Sequence, residues 1–434
     1  MALSAQPRLW YWDAMAPGRI RSVAIAGGGP AGCALATYLA RAGLRVGLFA
    51  PPRPATLLVG ESLVPAVIPF LRDLGVEDEV RGYGTYKPGG TFVSPGTGTI
   101  HFVFADARGR VPDYAYNVPR DRFDATLRSV AQGSGARLFS TTARLERGDD
   151  AGSDEPTLRL SAQTLEASRD HFEGSPDFIV DASGRRRVAA RLLGLPERSG
   201  DRRDTALFAH LEGVSIDREG HVHSDRLEHG WCWRIPLPGR VSLGIVVNPR
   251  VLSRLGEGSE EQFEGTLRSD PHLKRICDGA RRVTPVLKYT NYQLTTLIGV
   301  GRGWALAGDS FGFVDPVLSS GLYLAFDGAR ALARAITRGT PADFRRYQRR
   351  QIRHIEAWQR ITGYFYDGRL LSLLQMRDRS PENWVGRLIY PHVSKHLPRI
   401  FTGEATRGFY SLWLLDFMIA HALGDPDLSG LRIN

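Results

Sequence analysis

The sequence predicts an α/β protein: a doubly wound, Rossmann-like domain, interrupted by an inserted β-sheet and completed by a helical C-terminal part. Three observations predict it. A β-α-β unit opens around a glycine-rich turn near the N-terminus. A stretch rich in Gly, Thr, Val and aromatics at residues 83–116 reads as strands and turns, and residues 205–297 again look strand-rich. A buried strand at Trp304–Ala307 then runs through Gly308-Asp309 into a long helix, and the remainder is mostly helical.

Each element follows from local pattern. Val23–Ala26 is a short β-rich run. Pro30–Ala42 reads as a helix with Ala31, Leu35, Leu39 and Ala42 on one face, ended by Gly43. Arg45–Phe49 is the second strand. Residues 147–156 form a polar loop, and Phe178–Val180 is a further strand before Asp181-Ala182-Ser183-Gly184. A helix is expected from about Ser320 to Arg338, closed by Gly339 and Pro341. The division expected is a core at 20–340, with nucleotide-side parts at about 20–82, 118–204 and 298–340. The inserted sheet takes about 83–117 and 205–297, and a helical region at 341–434 covers the substrate side.

Composition bounds the function. The chain has 434 residues, 42% hydrophobic and 24% charged, enough for a sizeable core. No apolar run reaches the ~20 residues of a membrane span. Met1–Arg19 lacks a basic start followed by an apolar core, so it does not read as a signal peptide. Its Trp10, Tyr11 and Trp12 are expected to pack on the body or fray, and a cytoplasmic protein is expected. Cys33, Cys232 and Cys277 lie far apart, which argues against a disulfide framework or a zinc site. The net charge of +10 favours anionic partners, but the basic residues are scattered and no nucleic-acid motif is present. Only four of the basic residues are Lys: Lys87, Lys274, Lys288 and Lys395.

Gly27-Gly28-Gly29-Pro30-Ala31-Gly32 fits the dinucleotide turn. Gly27 permits the tight turn, Gly29 lets a pyrophosphate approach the backbone, and Gly32 lets helix and strand pack closely. The phosphates would then sit on the helix N-terminus. Placement between a strand and a helix is what separates this motif from an ordinary glycine-rich turn. One departure stands out: the ribose-binding acid expected ~20 residues on is absent from Leu48-Phe49-Ala50-Pro51-Pro52. Two segments favour FAD over NAD. Asp309 of Ala307-Gly308-Asp309 can bond a ribityl chain. Pro316-Val317-Leu318-Ser319-Ser320-Gly321 opens a helix whose N–H groups can serve a flavin ring or a small anion.

These residues resemble the flavin-dependent halogenases, within the aromatic-hydroxylase type of FAD protein, from about Val23 to Arg338. Trp231-Cys232-Trp233-Arg234-Ile235-Pro236 matches the family's W-x-W-x-I-P motif, and Gly60-Glu61-Ser62 a flavin-contacting loop. Phe313-Val314-Asp315-Pro316-Val317-Leu318-Ser319-Ser320-Gly321 matches the cofactor and halide segment, and Tyr86-Lys87-Pro88-Gly89-Gly90 the region of the active-site lysine. Val118-Pro119-Arg120 and Asp181-Ala182-Ser183-Gly184 are shared with related hydroxylases and discriminate little.

The resemblance implies FADH2 supplied by a separate flavin reductase, oxygen, and chloride or bromide. It implies that Gly27, Gly29, Gly32, Glu61, Ser62, Arg120, Gly308, Asp309, Pro316 and Gly321 hold the cofactor. The N–H groups of Ser320 and Gly321 would bind halide. Hypohalous acid then reaches Lys87, which either carries the halogen as a haloamine or hydrogen-bonds the acid. Trp231 and Trp233 would separate flavin from substrate. Each has a plainer reading: a solvated lysine, two core tryptophans on one strand face, a helix cap. Tryptophan halogenases carry a glutamate where this chain has Leu318, two residues before Ser320. Without that base an electron-rich ring is expected, a phenol or pyrrole, free or tethered to an acyl or peptidyl carrier protein. The alternative is an FAD-dependent aromatic hydroxylase using NAD(P)H.

Other signals carry less. Gly308-Asp309-Ser310-Phe311-Gly312 fits a hydrolase nucleophile elbow, with Asp327 and His354 in order, but the dinucleotide turn has no place in that fold. His221 with His223, and His392 with His396, lack a third metal ligand. Arg345, Arg346, Arg349, Arg350 and Arg353 line one helix, as a solvated face or a dock for an acidic carrier. Phe409–Leu423 is apolar nearly all round and is expected to be a buried helix by the substrate pocket, with a membrane or dimer contact as the alternative.

Overall fold

The computed structural model describes residues 19–52, 59–94, 98–107, 109–148, 156–377, 398–407, 409–421 and 432–433. The segment with Trp10, Tyr11 and Trp12, most of the polar loop at 147–156, and His392 and His396 lie outside these residues.

Two sheets carry the fold. The first has six strands in the order Val300–Gly301, Trp304–Leu306, Phe178–Asp181, Ser22–Ala26, Arg45–Phe49, Arg137–Phe139. All pairings are parallel except the first. Its central strand Ser22–Ala26 is buried throughout, as a parallel strand covered on both faces must be. The helix Pro30–Arg41 begins with Pro at its first position, buries small residues, Ala31, Cys33 and Ala34 among them, and contacts the helix Gly321–Arg338. Gly339 closes that second helix in the left-handed conformation (φ 69°).

The second sheet runs Gly312–Phe313, Leu287–Thr296, Glu197–Glu212, Arg240–Val247, Gly230–Leu237, Val222–Leu227, Gly89–Ser94, Gly98–Val103, with Arg281–Arg282 on the edge of the long strand. It departs from the sequence reading in two ways. The strand Glu197–Glu212 runs across residue 204, where the sequence suggested a change of unit. Three helices, Pro249–Leu252, Ser259–Ser269 and Pro271–Ile276, lie within the stretch read as strand-rich. They close a second apolar core, with Leu243, Ile245, Phe263 and Leu273, on the sheet's outer face. Strand alternation then fixes the site: Trp231, Trp233 and Ile235 join the main core, whereas Cys232 belongs to the outer one.

On that outer side Arg234 is fully buried and paired with Asp225 (Nε–Oδ2 2.7 Å), which also accepts from His272 (3.0 Å). An ion pair of this kind is retained only when its remaining donors are satisfied. Here Arg234 also reaches the carbonyl of Ser215 and the carboxylate of Asp217.

The C-terminal part is helical: Pro341–Tyr366, Arg369–Arg377, Pro398–Thr402 and Phe409–His421. Asp327 binds Arg350 through both oxygens (2.8 and 2.9 Å) and lies 3.3 Å from His354, which pins the helix Pro341–Tyr366 to Gly321–Arg338. Arg350 therefore leaves the row of solvated arginines. No helix among the described residues is long and apolar enough to cross a membrane. The helix Phe409–His421 is not buried all round, because Tyr410, Trp413 and Phe417 are about half exposed.

Candidate functional site

Where the two sheets meet lies a cavity of about 610 Å³, within the range of small-molecule and cofactor sites. One end is the dinucleotide turn. Gly27 adopts φ +128°, and a Cβ there would strike the Ala182 carbonyl. A Cβ on Gly32 would strike the Gly27 carbonyl oxygen, whereas one on Gly29 would meet nothing within 4 Å. Gly27 and Gly32 thus serve the turn itself. Gly29 faces the open cavity, at the start of a helix with no side-chain cap and no acidic residue in its first turn. That combination leaves N–H groups free for an anion. The cavity and this cradle fit the phosphates of FAD.

Polar groups line the walls. Glu61 is buried and accepts from His210 Nε2 at 2.8 Å. Arg120 is held by Asp124 (2.9 Å) and donates to the Val59 carbonyl. Burial pushes the Asp309 carboxyl above its usual value, against the pull of Arg185 and Arg120. Gly308, Pro316 and Gly321 complete this side.

The opposite wall is tryptophan. Trp231 and Trp233 lie 5.8 Å apart between ring centroids, tilted by 50°. Trp233 rests on Gly244 of the neighbouring strand, where any Cβ would collide with the indole. Its Nε1 donates to Ser242 Oγ at 3.3 Å. The Trp231 Nε1 donates to Tyr366 Oη at 2.9 Å.

Lys87 does not line this cavity. It is buried behind Glu61-Ser62, with Nζ donating to Ser62 Oγ (2.8 Å) and to the Leu63 carbonyl (2.9 Å). The Phe104 ring lies 5.4 Å away. Desolvation pulls this amine down to about 7. Past Phe104 come Phe102 and Phe401, whose rings stack at 4.2 Å.

The Ser320 side chain does not serve as a helix cap. The residue occupies the N-cap position of the helix Gly321–Arg338, but its hydroxyl makes no capping bond and is buried without a partner. Ser319, left-handed at φ +54°, and Gly321 line the cavity instead. The first turn is left uncapped, which suits a small anion.

The hydrolase arrangement is not assembled. Ser310 Oγ donates to Asp181 Oδ1 (3.2 Å) and to the Gly184 carbonyl, while His354 is turned to Asp327. His221 and His223 are buried, with His221 bonded to Thr91, and among the described residues no group of three or more His, Cys, Asp or Glu could hold a metal ion. Sequence reading missed three contributors. Arg185 lies on the cavity wall with its guanidinium 4.5 Å from the Phe313 ring centroid, one residue past a motif that was read. His210 and Tyr366 carry no local signal.

A family model described as tryptophan halogenase matches residues 22–111 and 105–369. The chain is 29% identical over 363 residues to a tryptophan 2-halogenase of Chondromyces crocatus, covering 80% of this chain and 67% of that protein. It is 28% identical over 338 residues to a 1H-pyrrole-2-carbonyl-[peptidyl-carrier protein] chlorinase of Pseudomonas fluorescens, covering 71% and 74%. The myxobacterial chondrochloren halogenase CndH superposes with a TM-score of 0.69 at 25% identity, over 96% of this chain and 100% of that one. The flavin-dependent brominase Bmp2 shares the fold, with a TM-score of 0.76 at 20% identity over 93% and 98%.

Proposed function

The chain belongs to the tryptophan halogenase family, and from that premise we propose a two-component flavin-dependent halogenase acting on an electron-rich aromatic ring. The observation that carries this reading is a buried lysine bonded to the back of a residue that lines the cradle cavity. The cavity with the dinucleotide cradle ends at Trp231, Trp233 and Ser62, and Lys87 lies behind Ser62. Bound FADH2, renewed by a separate reductase, supplies the activation of oxygen that oxidises chloride or bromide.

The chain's own residues bind, exclude and orient. The turn at Gly27, Gly29 and Gly32 holds the phosphates, and Glu61, Arg120 and Asp309 hold the polar body of the cofactor. The uncapped N–H groups of Ser320 and Gly321 attract the halide. Trp231 and Trp233 keep the aromatic substrate off the flavin. Lys87 receives the hypohalous acid. Burial lowers its amine to about 7, which favours the neutral form far more than in a solvated lysine and suits an acceptor of halogen. Leu318 supplies no base, so the ring must lose its proton readily, as a phenol or pyrrole does. The carrier-bound pyrrole of one relative supports a tethered substrate as one form. The relatives favour this reading over a hydroxylase using NAD(P)H. We place the enzyme in the cytoplasm, with the division at 20–340 and 341–434 as its working units.

The test needs no substrate. Reduced FAD, oxygen and bromide or chloride are supplied with catalase and a chemical trap for hypohalous acid. Enzyme-dependent, halide-dependent trapping is expected. Its absence, with direct NAD(P)H oxidation by the protein alone, would replace the reading by a hydroxylase.

A further inference from the structure

We infer that Tyr366 is a positioning residue that fixes the indole of Trp231 relative to the turn Pro316–Leu318. Its functional consequence rests on the halogenase reading; its geometry does not.

The hydroxyl of Tyr366 lies between two groups of the site. It accepts from Trp231 Nε1 at 2.9 Å and donates to Asp315 Oδ2 at 2.9 Å. The directions are forced. An indole N–H can only donate, and an ionised carboxylate can only accept, so the single tyrosine proton must point to Asp315. The other oxygen of Asp315 accepts from the N–H of Val317 at 3.1 Å and so caps the turn Pro316–Leu318. That turn leads through Ser319 and Ser320 into the uncapped start of the helix Gly321–Arg338. One hydroxyl therefore joins the tryptophan wall to the segment assigned to halide.

All three side chains are buried, so none can exchange this bonding for bulk water. Tyr366 itself is held from behind. It ends the helix Pro341–Tyr366, its carbonyl accepts from the Ile433 N–H (2.9 Å), and the Arg202 guanidinium lies 3.9 Å from its ring centroid. Phe365, next to it, packs edge-on against Trp231 at 6.1 Å.

The chain of bonds depends on charge. Burial raises the Asp315 carboxyl to about 6. The Val317 N–H, the Tyr366 hydroxyl and Arg202 oppose that rise, and Asp204, paired with Arg202, adds to it. Once protonated, Asp315 becomes a weaker acceptor that also carries a donor of its own. The bond from Tyr366 to Asp315 that ends the sequence from Trp231 then weakens.

The full chain, without added flavin, is labelled with 15N at tryptophan, and the Trp231 indole N–H signal is identified by its loss in Trp231→Phe. In the wild type that signal should titrate with a midpoint near pH 6. In Asp315→Asn it should not titrate. In Tyr366→Phe it should move to an unbonded position and exchange with deuterium at least about fivefold faster. A signal indifferent to pH in the wild type, or to removal of the hydroxyl, overturns the inference, and the first of these needs no variant to fold. In a second arm, with reduced FAD, oxygen, bromide and trap, Tyr366→Phe should lower trapped hypobromous acid per flavin oxidised by about fivefold. Tyr364→Phe, whose hydroxyl binds Asp416 instead, serves as the control. An unchanged ratio in Tyr366→Phe overturns the positioning role. If the wild type itself makes no hypobromous acid, the halogenase reading fails, and the indole signal still decides whether Tyr366 holds Trp231.

Discussion

Lys87 Nζ stands 2.8 Å from Ser62 Oγ, and Ser62 is also part of the cavity wall. A buried amine and the proposed cofactor compartment therefore share one small side chain. Nothing else the lysine bonds, the Leu63 carbonyl included, belongs to that wall. We propose that the handover from cavity to lysine passes this point.

Ser62→Ala tests that passage. It removes one of the two bonds to Lys87 and opens the wall by a hydroxyl. Loss of one such bond costs about 1–3 kcal/mol when the partner stays buried. Halogenated product should fall by about tenfold, the equivalent of 1.4 kcal/mol, while trapped hypohalous acid stays within about twofold of wild type. A parallel fall in both would place Ser62 in oxidant formation rather than transfer.

Lys87→Met should remove product and leave hypohalous acid formation intact, as read by the same trap. It also has a stability signature. The native amine sits near 7 and the ordinary value is 10.5, so between these pH values the unfolded chain holds a proton that the native chain does not. Stability therefore rises with pH across that window, and the cost of burying the amine is complete below pH 7. Relative to Lys87→Met, the wild type should gain on the order of 3 kcal/mol between pH 7 and pH 10, after allowance for relaxation around the charge. Denaturant midpoints at the two pH values measure it, and a constant difference would mean that the lysine is solvated.

The local part of this site was legible in the sequence, and the part made by distant residues was not. The turn at Gly27–Gly32 and the pair Trp231 and Trp233 are set by spacing along a single turn or strand, so their geometry follows from periodicity. Glu61 stood out as a candidate and does line the cavity, but its partner His210 lies 149 residues on. The bond from Tyr366 to Asp315 spans 51 residues and joins two elements that only the packed helical hairpin brings together. Arg350 was misplaced for the same reason: its partner Asp327 faces it from the antiparallel helix, invisible to a reading of one helix's charges. The helices over the outer face of the second sheet were missed because strand-rich composition on either side masked short capped turns, such as the one Asp270 opens by accepting from His272 and Leu273.

Trp233→Leu tests the wall. The indole is buried against Gly244, so trimming it to Leu leaves a void. A cost of about 2–4 kcal/mol in stability is expected. The functional effect should be larger than the structural one: free peroxide per flavin oxidised rises, and an aromatic substrate yields some hydroxylated product. Mass analysis of products checks it. Halogenated product alone, at an unchanged yield, would reduce Trp233 to core packing.

The glycines of the dinucleotide turn separate folding from binding. A Cβ on Gly32 collides with the Gly27 carbonyl oxygen, a backbone atom that cannot move without opening the turn, so Gly32→Ala should destabilise the fold by about 1–3 kcal/mol. A Cβ on Gly29 meets no atom of the protein within 4 Å, and Gly29 lies on the cavity wall at the start of the helix Pro30–Arg41. Gly29→Ala should therefore keep stability within about 0.5 kcal/mol of wild type. It should still weaken FAD by about tenfold or more, because the methyl group stands where a pyrophosphate must meet the backbone. Thermal melts of the flavin-free chain and FAD titration together read the two effects. Normal FAD affinity in Gly29→Ala would mean that the phosphates rest elsewhere on the cavity wall, and Arg120 and Arg185 would be the next cationic groups to substitute.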